Sequence, residues 1–310
     1  MRKLARATLE GLPRSSSYKL FRIAGRSSAS RRRSFVRTHD CASWILYLYV
    51  PAMCGRFTVK DEIYEIRIAV SAQFEQLFRP WRPIFNIAPS AGPGREQLIA
   101  MTAADGTRVL KLARWWFIPS NWNKPLNQLP TLFNARSEGI AQKPLWRHAY
   151  ASSRCLVPAN GWREFQGTRG NKQPFHFHRD HELFAFAGLW STWRSDTGEA
   201  VDSFTIITTE ANDLVKPIHD RMPLIVPAER YSDWLNPHAA PGPILDQAQR
   251  YCRQLKLDLF PSDPVANDVH YEGPRTIQRL DPKPERPKPV QQSLFSGLPV
   301  TSTIKRGGRS

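Results

Sequence analysis

The chain has 310 residues, of which 41% are hydrophobic, 11% aromatic and 23% charged, a composition that excludes wholesale disorder, collagen-like repeats and coiled coils. Lysine and arginine number 44 against 27 acidic residues, so the net charge of +17 favours a polyanionic partner or a basic tail. No uncharged apolar run reaches the roughly 18 residues of a membrane-spanning helix. Four scattered cysteines without CxxC spacing disfavour a disulfide framework and structural zinc, so we expect a cytoplasmic protein without metal or cofactor.

Residues 1–52 form a basic N-terminal extension that holds eleven Lys or Arg residues and ends in an apolar stretch from Trp44 to Val50. The stretch imitates a signal peptide, but the basic region is too long for one, and Met53 stands where signal peptidases require a small residue. Three interpretations follow, in falling order. The extension is an upstream stretch wrongly included in the coding sequence, a removable leader, or a secretion signal.

Residues 53–280 have the composition of one compact domain with short strands and few long helices. Early acidic residues and apolar residues at helical spacing predict a helix from Asp61 to Phe78. Aromatic and β-branched runs predict strands over Leu110–Phe117, Arg154–Val157, Phe175–His178, Leu183–Gly188 and Ser203–Thr208. Further helices are predicted over Ala228–Leu235 and Pro243–Leu257, the second with a buried face of Leu245, Ala248, Cys252 and Leu255, so Cys252 is expected to be a core residue. We therefore expect an α+β fold, a single domain built on a mixed, largely antiparallel β-sheet with a barrel-like core and a few peripheral helices.

Residues 281–310 alternate proline with charge, a composition typical of a disordered tail because it buries too little apolar surface to fold. Within the tail, Gln291, Leu294 and Phe295 resemble the Gln-x-x-Leu-Phe peptides that bacterial sliding-clamp ligands insert into the clamp groove. A sliding clamp is therefore a candidate partner, and a tail without any partner is the equal alternative.

Cys54 directly follows Met53 and precedes Gly55. If translation starts at Met53, removal of that methionine leaves Cys54 with a free α-amine beside its thiol. The reference pKa is about 7.7 to 8 for the amine and about 8.5 for the thiol, so both are partly deprotonated near neutral pH. The amine can form a Schiff base with an aldehyde, and the thiol can then close a thiazolidine ring. An internal cysteine cannot form this linkage.

Five sequence blocks occur in order within this domain. They are Met53–Phe57, Phe133–Glu138, Arg154–Phe165, Phe186–Trp190 and Ile218–Pro223. Together the blocks resemble the SOS response-associated peptidase family, the abasic-site processing proteins. Residues 1–52 depart from the family pattern, in which the cysteine directly follows the initiator methionine.

The resemblance implies a monomeric, nucleoid-associated domain that binds single-stranded DNA and traps the aldehyde of a ring-opened abasic site. It implies that Cys54 is the crosslinking nucleophile, that Asn134 positions the cysteine and the sugar, and that Glu164 and His219 handle protons. Family members also reverse the crosslink, cleave the strand beside the abasic site, and remove their own leading residues.

The resemblance also implies DNA contacts. Three arginines next to the reactive groups are expected to hold flanking phosphates, namely Arg56, Arg136 and Arg221. By the same resemblance, Pro89 and Trp122 are expected to press against the bases, an interaction that tolerates any base sequence.

Structural alternatives stay open for the same residues. Without the family pattern, Cys54 is a buried structural cysteine, Glu164 a solvated strand-end carboxylate and His219 a member of an ion-pair cluster. Asn134 is then a turn cap and Trp122 a core aromatic.

Three histidines raise the question of a metal site, namely His176, His178 and His181. Two imidazoles on one strand face lack a third ligand of metal-type spacing, so we expect a face open to solvent or nucleic acid instead.

Two other functions are compatible with the sequence. One is a thiol peptidase that uses Cys54, Asn134 and His219 on other proteins. The other is a non-covalent single-strand-binding module with an incidental cysteine. The 1,2-aminothiol disfavours both, because neither needs it.

Overall fold

The computed structural model describes residues 54–71, 73–74, 82–89, 96–168, 170–180 and 182–280. The predicted N-terminal extension, the proline-rich tail with its clamp-binding residues, and His181 lie outside these ranges.

The strands of this part of the chain are β1 (Phe57–Val59), β2 (Gln73–Phe74), β3 (Ile84–Ile87), β4 (Glu96–Thr102), β5 (Arg108–Trp115), β6 (Asn134–Arg136), β7 (Arg154–Ala159), β8 (Gly161–Thr168), β9 (Asn171–His178), β10 (Phe184–Arg194), β11 (Ala200–Glu210), β12 (Arg221–Pro223), β13 (Ile225–Val226) and β14 (Asp258–Pro261). The helices are α1 (Ile63–Ala69), α2 (Arg147–Ser152), α3 (Tyr231–Leu235) and α4 (Pro241–Gln254). Short 3-10 turns occupy Leu126–Gln128, Ala228–Arg230, Pro264–Asn267 and Pro274–Ile277.

Five strands close into a barrel in the order β5, β4, β7, β10 and β11. The junctions are antiparallel except for β11 with β5, where parallel pairing of Ser203 with Arg114 and of Phe204 with Trp115 closes the ring. All six residues of β7 are buried, which is typical of a strand covered on both faces. The predicted α+β fold with a barrel-like core is thereby confirmed.

Aromatic rings fill the barrel and tie the start of β1 to it. Phe57 packs edge-on against Trp115 at 5.0 Å between ring centroids and against Phe186 at 6.0 Å, and Trp115 stacks on Phe204. Such pairs contribute about 0.5–1.5 kcal/mol beyond the burial of their area. The segment that carries Cys54 is therefore anchored three residues away in a rigid core.

A second sheet, ordered β14, β9, β8, β1 and β3, places β1 beside β8. Phe57 pairs with Trp162 on β8 and, on its other side, with Ile87 on β3. The Arg163 N–H also donates to the Arg56 carbonyl at 3.0 Å. This antiparallel pairing brings Cys54 next to Glu164, although more than a hundred residues separate them in the sequence.

The helix predicted over Asp61–Phe78 is wrong at residues 70–71 and 73–74, which are not helical, while residues 72 and 75–78 lie outside the described ranges. Helix α1 ends at Ala69, Ser71 adopts a left-handed backbone with φ of 51°, and residues 73–74 pair with β5 as strand β2. The helical spacing of apolar residues continues past Ala69, so it does not reveal where the helix ends. Residues 73–74 pair with β5 instead of continuing the helix.

The other predicted elements are confirmed with shifted bounds. Strands β5, β7, β9, β10 and β11 occupy the five predicted runs, and α3 and α4 the two predicted helical segments. Helix α4 buries Leu245, Ala248 and Cys252, so Cys252 is the core residue that its spacing predicted. Within the ranges described, no helix has the length and apolar character needed to cross a membrane.

Candidate active site

The thiol of Cys54 lies buried just ahead of β1. The residue is 2% exposed and has a φ of 43°, which is uncommon outside glycine. Its Sγ lies 3.8 Å from the carbonyl oxygen of Arg221. Burial and the neighbouring Glu164 raise the pKa of the Cys54 thiol well above its usual value, while the charge of Arg221 lowers it. The thiol is therefore protonated near neutral pH and needs a base when it reacts.

Glu164 on β8 reaches both heteroatoms of Cys54. Burial raises the pKa of this carboxyl to about 8, while hydrogen bonds from the thiol and from the backbone N–H of Cys54 lower it and Asp220 raises it. Glu164 is 1% exposed, and its Oε1 has no hydrogen-bond partner among the described residues. The carboxyl is therefore protonated near pH 7 and can supply a proton.

His219 lies just ahead of β12 with a side chain that is 11% exposed. Its Nδ1 accepts a hydrogen bond from the backbone N–H of Arg221 at 3.0 Å and lies 3.2 Å from Asp220 Oδ1. Burial lowers the pKa of His219, against a raising effect of Asp220. Because Nδ1 accepts, we assign the proton of the neutral ring to Nε2. His219 thus offers an N–H donor near pH 7.

Asn134 and Arg136 lie on β6, which pairs in parallel with β11. Thr208 on β11 pairs with Arg136 on one side and with Pro223 of β12 on the other. Asn134 is half-buried and Arg136 is exposed. One intervening strand therefore separates these two predicted site residues from β12, which begins at Arg221.

The other predicted arginines differ in their surroundings. The two terminal nitrogens of Arg221 donate to Glu138 at 2.9 and 2.8 Å, and the Arg221 side chain is only 8% exposed. Half-buried Arg56 lies over the Phe165 ring, 5.5 Å from its centroid, and donates to the Ala266 carbonyl at 3.5 Å. Phosphate binding by these arginines stays a prediction, and the carboxylate partner of Arg221 favours a positioning role for that residue.

The predicted base contacts lie in two loops. Pro89 is half-buried and follows β3. Trp122 is half-buried between β5 and β6, and its carbonyl accepts a hydrogen bond from Trp193 Nε1 at 2.8 Å. The neighbouring Asn121 lines a cavity of about 370 Å³ together with Trp190 on β10. The structure gives both predicted residues partly accessible surface, while their contact with bases stays a prediction.

Residues 53–271 match the family model of the SOS response associated peptidase, abbreviated SRAP. The chain belongs to this family.

Named relatives of the SRAP chain agree with that assignment. This chain is 36% identical over 189 residues to the abasic site processing protein YoaM of Bacillus subtilis, and the aligned residues cover 60% of this chain and 80% of the relative. It is 30% identical over 238 residues to the abasic site processing protein YedK of Escherichia coli, covering 73% and 99%. A solved structure of a Bacteroides thetaiotaomicron protein shares the fold, with a TM-score of 0.60 and 24% identity over 73% of this chain and all of that one.

Sequence reasoning missed Arg163, a fully buried arginine on β8 of the SRAP chain. Its guanidinium donates to Thr58 Oγ1, to Asn86 Oδ1 and to the Thr276 carbonyl at 3.0, 3.3 and 3.0 Å. Burial and the charge of Arg56 lower the pKa of Arg163 to about 9. The residue thereby joins β1, β3 and β8 behind Glu164. A charged residue within a strand usually indicates the side of the strand that faces solvent. The sequence around Arg163 therefore gives no indication that this arginine is buried.

The expected exposure of His176 and His178 is wrong. Both are buried, their rings stack at 5.4 Å between centroids, and each packs against Phe260 of β14. Gly161 makes room for His176, since a Cβ there would lie 2.6 Å from the His176 ring. In the described parts of the SRAP chain, no group of three or more His, Cys, Asp or Glu side chains is arranged so that it could hold a metal ion.

Proposed function

We propose that this SRAP chain is a DNA-repair enzyme that captures abasic sites in single-stranded DNA covalently on Cys54. One observation carries the proposal: the carboxyl of Glu164 contacts the thiol and the backbone nitrogen of Cys54, the two atoms that a thiazolidine requires. The names of the relatives YoaM and YedK, both abasic site processing proteins, support the substrate class.

The proposal requires that the backbone nitrogen of Cys54 become a free amine. Translation from Met53 followed by methionine removal produces that amine, and so does cleavage of the preceding residues by the protein itself. The second route gives the family its peptidase name. Either route leaves the amine within reach of Glu164.

Capture begins when the amine of Cys54 adds to the aldehyde carbon and forms a carbinolamine. Glu164 then gives its proton to the hydroxyl, which leaves as water, and an iminium ion remains on the former carbonyl carbon. The ionised Glu164 next takes the proton of the Cys54 thiol as the sulfur adds to that carbon. The ring closes with one water lost, and Glu164 ends protonated as it began.

Two neighbours assist these steps. The Nε2–H of His219 donates a hydrogen bond to the oxygen of the aldehyde and then of the carbinolamine, in the way a neutral imidazole polarises a carbonyl. The amide of Asn134 orients the sugar and the cysteine from β6. The iminium intermediate also accounts for strand cleavage, because it acidifies the adjacent C–H bond and permits loss of the 3′ phosphate.

DNA is held by the arginines and loops around the site. Exposed Arg136 suits a phosphate contact. Arg56 suits a second contact from the side of Phe165. Pro89 and Trp122 provide surfaces against which bases stack, an interaction of about 1–3 kcal/mol per base that is independent of base identity.

The test uses the chain that begins at Cys54, incubated with single-stranded DNA that carries one abasic site. We expect a heat-stable adduct on a denaturing gel, absent with Cys54→Ala and absent with undamaged DNA. Cys155→Ala is the matched control, since Cys155 is an equally buried thiol in β7. Equal adduct from Cys54→Ala would contradict the proposal, and peptide turnover without any adduct would instead indicate a thiol peptidase.

A further inference from the structure

Glu138 holds the guanidinium of Arg221 at two points. Oε1 accepts from Nη1 at 2.9 Å and Oε2 accepts from Nη2 at 2.8 Å. Oε1 also accepts from Ser137 Oγ at 3.2 Å, and that hydroxyl accepts from Gln249 of α4 at 3.0 Å. The same Nη2 donates to the Thr208 carbonyl at 2.7 Å. The guanidinium is therefore held by Glu138 in the segment that follows β6, by Thr208 on β11 and, through Ser137, by α4.

The main chain of Arg221 connects the two ends of the reactive site. Its carbonyl oxygen faces the Cys54 thiol at 3.8 Å, and its N–H donates to His219 Nδ1 at 3.0 Å. One residue thus orients both the thiol and the imidazole.

We infer that Glu138 is a positioning residue that clamps the Arg221 side chain and so holds the Arg221 main chain where it orients Cys54 and His219. The kinetic part of this inference rests on the covalent capture proposed above, while the geometric part does not. A two-point carboxylate–guanidinium pair fixes direction as well as distance. Displacing a reacting group by about 1 Å costs about 100-fold in rate.

This role differs from phosphate binding by Arg221 in what it predicts. A phosphate can reach both terminal nitrogens of Arg221 only by displacing Glu138. Partial burial raises the pKa of Glu138, but its hydrogen bonds and the charge of Arg221 together have the larger effect, so the pKa is lowered overall. Glu138 is therefore ionised near neutral pH and competes with a phosphate for Arg221. If Arg221 were a phosphate ligand, removing this competitor would tighten DNA binding and steepen its salt dependence.

The experiment compares Glu138→Gln with wild type in the chain that begins at Cys54. The matched control is Glu182→Gln, which removes the same charge from an exposed carboxylate that pairs with Arg179. Three quantities are measured: Kd for undamaged single-stranded DNA across a salt series, the single-turnover adduct rate at saturating abasic DNA, and hydrogen exchange of the Arg221 amide. Ser137→Ala, which removes one donor to Glu138, serves as a milder second variant.

For Glu138→Gln we expect a Kd and salt slope close to wild type, an adduct rate lower by about tenfold, and faster exchange of the Arg221 amide. Ser137→Ala should show the same changes at smaller size, and Glu182→Gln should show none. The inference is overturned, in favour of phosphate binding by Arg221, if Glu138→Gln binds DNA more tightly, with a salt slope steeper by about one and an unchanged adduct rate. Unchanged rate and exchange also overturn it. If wild type forms no adduct, the proposed function fails, and amide exchange still decides whether Glu138 positions Arg221.

Discussion

Two titratable residues of the site have pKa values shifted in opposite directions. Burial raises the pKa of Glu164 to about 8 and lowers that of His219, so the acid is protonated and the imidazole neutral at pH 7. Opposite shifts of this kind separate an acid from a neutral donor within one pocket. In the proposed mechanism Glu164 therefore transfers the protons, since its carboxyl interacts with both the backbone nitrogen and the thiol of Cys54.

The buried carboxyl of Glu164 predicts a dependence of stability on pH. Between its ordinary pKa of 4.5 and about 8, the folded chain keeps a proton that the unfolded chain releases. Stability therefore falls as pH rises through this window, by up to about 1.4 kcal/mol per pH unit. In urea unfolding, the free energy of wild type minus that of Glu164→Gln should decline from pH 5 to pH 8 and then level off. Parallel curves for the two proteins would show that Glu164 is not buried as a neutral acid.

In the proposed mechanism, the same residue governs the rate of capture. Glu164→Gln removes the proton donor but keeps the shape of the side chain, so we expect the adduct rate at pH 7 to fall by about 10²- to 10⁴-fold. For wild type, the rate should decline above about pH 8 as Glu164 ionises before reaction. Single-turnover rates from pH 5 to pH 10 test both statements. A Glu164→Gln rate within twofold of wild type would remove Glu164 from the mechanism.

At the scale of elements, Arg154 fastens two short helices to the barrel. From β7 it donates to the carbonyls of Tyr150 in α2 and Trp234 in α3, at 2.9 and 2.7 Å, and to that of Asn236 just beyond α3. The last carbonyls of a helix lack partners within the helix, and a cation there also complements the helix dipole. The hydrogen bonds to Tyr150 and Trp234 are buried, so water cannot replace the arginine as the donor to these two carbonyls.

Replacing Arg154 by Met is therefore expected to lower the free energy of unfolding by roughly 2–4 kcal/mol, because the buried carbonyls of Tyr150 and Trp234 lose their donor. Urea denaturation measures the change. Arg253→Met, on the exposed face of α4, is the matched control and should stay within about 0.5 kcal/mol of wild type. A loss of similar size in both variants would show that Arg154 does not fasten these helices.

The elements differ in how far their sequences predict them. Strands such as β10 and β11 follow from runs of aromatic and β-branched residues, and Cys252 follows from the spacing within α4. The end of helix α1 before Ser71 and the burial of Arg163 cannot be predicted in this way, because both depend on partners distant in sequence. The contact of Glu164 with Cys54 likewise arises from pairing of β1 with β8, and no local pattern specifies a register between strands so far apart.

At the scale of the whole molecule, charge is unevenly distributed along the sequence. Eleven basic residues and two acids lie in residues 1–52, whereas residues 53–280 hold 27 basic and 23 acidic residues. The part of the chain that carries the site is thus only mildly basic. Under the proposed function we expect the affinity for DNA to come from a few arginines close to the site, and the salt dependence of binding measures how many of them contact phosphates.

The variant Arg136→Ala tests whether Arg136 is one of the arginines that contact DNA phosphates. Loss of one phosphate contact should weaken binding of single-stranded DNA and reduce the slope of log K against log salt by about one, for every base sequence tried. Fluorescence anisotropy across a salt series measures the slope. Arg253→Ala, on the outer face of α4, should keep the wild-type slope. An unchanged slope for Arg136→Ala would exclude this arginine from the DNA interface.

In the proposed capture, the nitrogen and the sulfur of Cys54 both bond to the sugar carbon. The most direct measurement compares the chain beginning at Cys54 with the same chain acetylated on its α-amine, each mixed with abasic single-stranded DNA and analysed by mass spectrometry. We predict that the free-amine chain gives an adduct one water lighter than its components, attached at Cys54, and that the acetylated chain gives none. Equal adduct from the acetylated chain would contradict the account.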